Sequence, residues 1–323
     1  MNKLEKLTPD QEILLNQLKD NWLNKVFNLS NKFDKDKAKQ SIKWLYELAD
    51  LEKPVVIFVA NPLASQYAID ILKNLFARLE KRSKTNLSVW RTQATKWFNE
   101  HNETDIMEIY AERKFTVNKD YSLLEPVEDI IRDTILEKII EKQWDELDKS
   151  VSDTVWDQVK VNSDLITEKV LSIYNEIWNH VYNVAWSDLD NILETFDFCT
   201  YGNVADYGWV AFFDYFKSVG IASHPNFDKF LDFINIGVYG IIPLRGFCIC
   251  CKLPSFIYID DKYRLHHETK NAVTWPDGYK QWYWHGVSVN QKIIETPHLL
   301  TDYDLSVEKD EEVKSCIIER MKV

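Results

Sequence analysis

The stretch 264–289, RLHHETKNAVTWPDGYKQWYWHGVSV, decides how this chain is read. Three of the seven histidines (His266, His267 and His285) fall within it, together with Trp275, Trp282 and Trp284. Pro276-Asp277-Gly278 in its middle is a turn signal, and apolar or aromatic runs lie on either side. Strands are expected at 264–267, 272–275 and 279–285. Two further strands, Phe247–Lys252 and 256–259, precede them, separated by Leu253-Pro254 and Asp260-Asp261. Together they predict an antiparallel meander. Period-two alternation in 279–285 puts Trp282 and Trp284 on one face, and Gln281, Tyr283 and His285 on the other.

Upstream the periodicity is helical. Ile13, Leu14, Leu18, Trp22 and Val26 mark a helix over 10–27, opened by Thr8 and Pro9. Further helices are expected at 36–50, 85–101, 126–148 and 163–186. The last carries a long apolar stripe with His180 beside it, a histidine read as structural. Residues 55–60 form a short β-branched apolar run that suits a buried strand. Asn61 then caps a helix that starts at Pro62. Residues 203–219 predict an aromatic helix with Trp209, Phe212, Phe213 and Phe216. Asp206 stands at its start, and Asp214 falls among the rings and needs a partner. The expected fold class is therefore α+β. A mostly helical body (1–240) with one short apolar strand carries an antiparallel β-meander (241–300) packed on the aromatic helix, and a charged tail (301–323) follows.

Composition bounds the function. At 323 residues the chain buries enough surface to fold without a disulfide or metal. Acidic residues outnumber basic ones by 51 to 39, a net charge of −12, which disfavours bulk nucleic-acid binding. No apolar run reaches the roughly 18 residues of a membrane span, and the start has no apolar signal core. Five cysteines without framework spacing suit a reducing, cytoplasmic setting.

The order of motifs resembles a widespread bacterial domain of unknown function. Its members read LHNE-x-GPA-x-x-W-x-DG, then WHG-V-x-V, at the segment quoted above. GNVADYGWVAFFDYF, RGFCICCKLPSFIYID and KPVVIFVANPLA are similar to three upstream motifs of that family, so the likeness covers roughly 10–300. Two positions depart from it. Val204-Ala205-Asp206 lacks the family's histidine before the aspartate, and Lys270-Asn271 replaces a Gly-Pro. Members also usually continue into a further β-rich segment. The family has no established activity, so the resemblance implies a fold and not a mechanism.

Four kinds of site follow from residue chemistry. His266, His267, Glu268 and His285, with Cys248, Cys250 and Cys251, have the chemistry for a metal. Neighbouring strand residues point apart, however, and no C-x-x-C pair or H-E-x-x-H helix occurs, so no metal and no cofactor is expected. Asp206, His266, His267, Glu268 and His285 are the acid–base candidates for a hydrolase-like enzyme. Cys199 is a weak nucleophile candidate, since no G-x-S-x-G elbow exists. The reading placed first is a binding or regulatory module. In it a protein or peptide partner engages the groove between the hairpin and helix 205–219, through Trp209, Trp275, Trp282, Tyr283 and Trp284. The competing bland reading covers both faces of the hairpin, one by the body and one by the tail.

Overall fold

A computed structural model describes residues 7–27, 33–80, 87–103, 105–113, 127–151, 172, 175–179, 206–220 and 224–322. The helix expected at 163–186 falls mostly outside them; residues 172 and 175–179 are helical. His180 and Cys199 lie outside the described residues.

The chain is α+β. Helices α1 (Pro9–Phe27) and α2 (Lys35–Leu48) lead to strand β1 (Val55–Val59) and helix α3 (Pro62–Glu80). Helices α4 (Leu87–Glu100), α5 (Ile106–Arg113) and α6 (Glu128–Val151) follow. Local chemistry accounts for the starts. Thr8 and Gln11 form a reciprocal capping box, Thr8 N donating to Gln11 Oε1 at 2.9 Å and Gln11 N to Thr8 Oγ1 at 3.3 Å. Asn61 Oδ1 accepts from Ala64 N at 2.7 Å, with Pro62 as the first helical residue.

The aromatic helix is α7 (Tyr207–Ser218), and α8 (Pro225–Ile234) was not anticipated. His224 caps α8, its Nδ1 accepting from Asn226 N at 3.0 Å. α7 packs on α1, where Trp22 meets Tyr207 edge-on and Trp22 Nε1 donates to Asp214 Oδ2 at 3.0 Å. That bond is the partner Asp214 requires. α7 also meets α8, where Trp209 stacks on Phe230 with ring centres 5.0 Å apart.

Two sheets follow. Strands β2 (Val238–Leu244) and β3 (Phe247–Lys252) form a hairpin about Gly246, and β3 pairs in parallel with β1. Phe247–Lys252 is therefore not the first strand of the meander, and 55–59 is not a solitary strand. The physical reason is burial on both faces: β3 is the central strand, and its unbroken apolar run FCICC suits that position. Pro243 is tolerated because β2 is an edge strand, and its carbonyl accepts from Val127 N at 3.0 Å. The Tyr46 hydroxyl reaches the carbonyls of Leu244 and Phe247, at 2.9 and 2.8 Å, and ties α2 to this hairpin.

The meander contains β4 (Phe256–Ile257), β5 (Val273–Thr274), β6 (Lys280–Trp284) and β7 (Val287–Val289), all antiparallel. The expected strand at 264–267 is reduced to one bridge, Ile259 with Leu265, and β7 is an additional strand. The tail forms α9 (Gln291–Glu295), a 3-10 turn (Pro297–Leu299), α10 (Asp302–Val307) and α11 (Glu311–Arg320).

One continuous core joins the helical body to the meander, running from Tyr207 and Val210 through Ile241 and Ile249 to Val273, Trp275 and Tyr283. A second, smaller core contains Trp284, Val289, Ile293, Ile294, Cys316 and Ile317, with Trp282 packed against it. The alternation along β6 thus sends Tyr283 into the main core, and Trp282 and Trp284 toward the tail helices.

Candidate functional site

The site is organised by Asp260, a residue that sequence reasoning treated only as a turn signal. Its side chain is 5% exposed. Oδ1 accepts from the backbone N–H groups of Lys262 and Arg264, each at 2.9 Å. Oδ2 accepts from Arg264 Nε at 2.8 Å, from Arg264 Nη2 at 2.6 Å and from His285 Nδ1 at 2.9 Å. Burial pushes this carboxyl's pKa up, but the hydrogen bonds from His285, Arg264 and the backbone outweigh it. The net effect holds the group well below the usual carboxylate range. The same set of bonds shapes the loop 260–264, in which Tyr263 takes a positive φ of 59°.

His285 and Gly286 are the two central residues of the β6–β7 hairpin, with φ of 47° and 91°. A two-residue loop with both φ positive matches the right-handed twist of its strands. Histidine tolerates that conformation less well than glycine, and here its ring is gripped from two sides. Nδ1 meets Asp260, and the His266 ring stacks on it with centres 4.0 Å apart and planes 6° apart. The backbone N–H of His285 donates to His266 Nδ1 at 3.2 Å. Trp284 lies edge-on to both rings.

These bonds set the proton positions. The Asp260 carboxylate only accepts, so His285 carries a proton on Nδ1. His266 accepts on Nδ1, so its neutral form carries the proton on Nε2. Burial lowers the His266 pKa and the neighbouring His285 charge lowers it further, against opposing pulls from Asp260 and Glu268. His267 turns away. Its Nδ1 accepts from Thr269 N and Lys270 N at 3.1 and 3.2 Å, and its ring meets Tyr258 edge-on. Glu268 is exposed, and its carbonyl accepts from Arg320 Nη2 at 2.9 Å. Asp206 begins α7, where it accepts from Trp209 Nε1 at 2.9 Å and lies near enough to Glu128 to help raise its pKa. Of the five acid–base candidates the structure therefore brings His266 and His285 together, and it adds Asp260 and Arg264.

The ring residues expected to bind a partner are engaged internally. Trp275 is 3% exposed, donates to Gln281 Oε1 at 2.7 Å and meets Tyr239. Tyr283 is fully buried. Trp284 is 8% exposed and donates to Glu319 Oε2 at 3.0 Å, with the Arg320 guanidinium 4.4 Å above its ring. Trp282 donates to Glu295 Oε1 at 2.8 Å. Both faces of β6 are covered, one by the body and one by the tail, because each alternating set of rings has its own core to fill.

The turn at Pro276-Asp277-Gly278 joins the meander to the body. Asp277 Oδ2 accepts from Asn61 Nδ2 at 2.6 Å, so one asparagine both caps α3 and grips the hairpin. Cys248, Cys250 and Cys251 are buried free thiols with raised pKa values, burial being the main cause. Among the described residues no group of three or more His, Cys, Asp or Glu is placed to hold a metal ion, and no helix is long and apolar enough to cross a membrane.

Chemically, Asp260 and His285 form a carboxylate-oriented imidazole, with a side chain 37% exposed on the histidine. Such a pair can shuttle a proton at Nε2. Comparison of the chain with protein-family models, with curated proteins and with solved structures finds no match in any of the three.

Proposed function

We propose that the chain is a protein- or peptide-binding module, working in a reducing compartment such as the cytoplasm, whose contact face lies on the tail helices α10 and α11. The observation that carries this reading is the position of exposed apolar side chains. Tyr303 and Val307 sit one helical turn apart on α10, 73% and 53% exposed. Ile318 on α11 and Met321, the residue just past its end, are three residues apart and likewise exposed, and α11 packs against α10. The indoles of the hairpin support this face from beneath, filling the small core on which both helices rest. Exposed aromatic and aliphatic groups on a rigid base are the usual anchors of a protein contact. The free thiols Cys248, Cys250, Cys251 and Cys316 agree with a reducing setting.

Site-directed photo-crosslinking in cells tests the reading. A photoreactive residue in place of Tyr303 should capture a discrete partner, and the same residue at exposed Lys43 should not. Equal capture at both places, or none at 303, would sink it.

One observation favours a second, enzymatic reading: the Asp260–His285 pair has the arrangement of a general base. Activated ester hydrolysis should then exceed that of free imidazole and should drop on His285→Gln with the thermal midpoint retained. A wild-type rate no greater than free imidazole removes this alternative.

A further inference from the structure

We infer that the segment taken up by the α10–α11 face is a basic amphipathic helix, an inference that rests on the binding reading above. Three features point to it. The apolar groups come as pairs spaced by about one turn, Tyr303 with Val307 and Ile318 with Met321, on two helices packed together and the residue just past the second. Two neighbouring helices present ridges and an intervening groove, which receive a third helix more readily than an extended strand.

The charge around these pairs is one-sided. Residues 299–322 hold seven carboxylates (Asp302, Asp304, Glu308, Asp310, Glu311, Glu312 and Glu319) against four cations. Two of those cations are already committed. Arg320 is 6% exposed and spends its guanidinium on backbone carbonyls, and Lys314 pairs with Glu311 at 2.6 Å. Asp304 is in turn neutralised by Lys292 at 2.6 Å, which among the described residues leaves five carboxylates without an ion pair (Asp302, Glu308, Asp310, Glu312 and Glu319) against the exposed Lys309 and Lys322. A partner therefore gains most by bringing lysines or arginines to flank its apolar stripe. The same charge argues against a second copy as occupant, because two such faces repel, as do two chains of net charge −12.

The test uses the full chain and three fluorescent peptides of about 16 residues, long enough for four helical turns. One is a Lys/Leu amphipathic helix, one is its scramble of equal composition, and one is a Glu/Leu amphipathic helix. Anisotropy titrations are run on wild type and on Tyr303→Ser/Val307→Ser. Both substituted positions are exposed, and thermal melts confirm that the variant folds.

The basic helix should bind roughly tenfold or more tightly than its scramble, and the double substitution should weaken it by a similar factor. Raising salt from about 50 to about 300 mM should weaken binding further. Equal binding of helix and scramble, or binding indifferent to the double substitution, overturns the inference. A Tyr303-dependent preference for the Glu/Leu peptide overturns the partner class and leaves the binding reading standing. A dimer abolished by the double substitution also overturns it. If no peptide binds, the partner class falls, and crosslinking at position 303 separately decides the reading beneath it.

Discussion

Arg320 holds the tail helices to the hairpin, and Arg320→Ala should show how much that joint matters. Its Nε donates to Ile293 O at 3.2 Å, and Nη2 donates to Glu268 O at 2.9 Å and Ile294 O at 3.3 Å. The first and last of these carbonyls belong to α9, so the guanidinium acts as a C-terminal cap supplied from another helix. Its planar face also lies 4.4 Å above the Trp284 ring. A hydrogen bond from a charged donor contributes about 1.5–3 kcal/mol. A largely desolvated cation–π contact adds about 2 kcal/mol. The three bonds share one side chain and two are long, so they do not sum. The Glu268 carbonyl, on an exposed residue, also regains water when the arginine is removed. A net loss of about 3–5 kcal/mol is expected. Arg320→Lys keeps the charge but cannot span three carbonyls, and should lose about half as much. Urea unfolding followed by far-UV circular dichroism measures the change, and limited proteolysis reports whether 253–322 opens first. An alanine variant within about 0.5 kcal/mol of wild type would refute the reasoning, leaving the small apolar core and the indole bonds to Glu295 and Glu319 to hold the tail.

Two further outcomes are expected. His266 and His267 both have pKa values held below the ordinary histidine value of about 6.5, chiefly by burial, and both use Nδ1 as an acceptor. Their neutral forms are favoured in the fold, so the stability they contribute is complete above pH ~6.5 and is lost as pH falls through the folded values. Asp260 is also depressed, so its contribution persists above pH ~3.9 and goes only at stronger acid. Thermal midpoints at pH about 8, 6.5 and 5 should therefore fall less steeply for His266→Asn/His267→Asn than for wild type; parallel slopes would contradict the assignment. Cys248, Cys250 and Cys251 are buried with raised pKa values, and Cys316 is pushed up to about 11, burial again leading. All four should resist alkylation in the native protein at pH about 8 and react in urea, as peptide mapping would show. Rapid native labelling of any one would contradict that burial.

What could be read from the chain itself was whatever depends on neighbours a few residues away. Thr8 before Pro9, and Asn61 before Pro62, mark helix starts, and each side chain accepts from a backbone N–H three residues on. The alternation Gln281-Trp282-Tyr283-Trp284 divides two faces by strand geometry alone, and the structure fills both. Helix α8 is hard to read locally because its signals, His224 as an unusual cap and three phenylalanines, are less distinctive than serine or aspartate before a long stripe. The remainder is non-local. Val55 pairs with Phe247 across the whole helical body, and nothing near either residue names the other. Asp260 finds His285 only after β4, β5 and β6 have folded back, and Arg320 finds Trp284 only once the tail has returned to the hairpin. Hydrophobic pattern says which side chains must leave water, whereas the partner each one meets is set by how the packed elements close on one another.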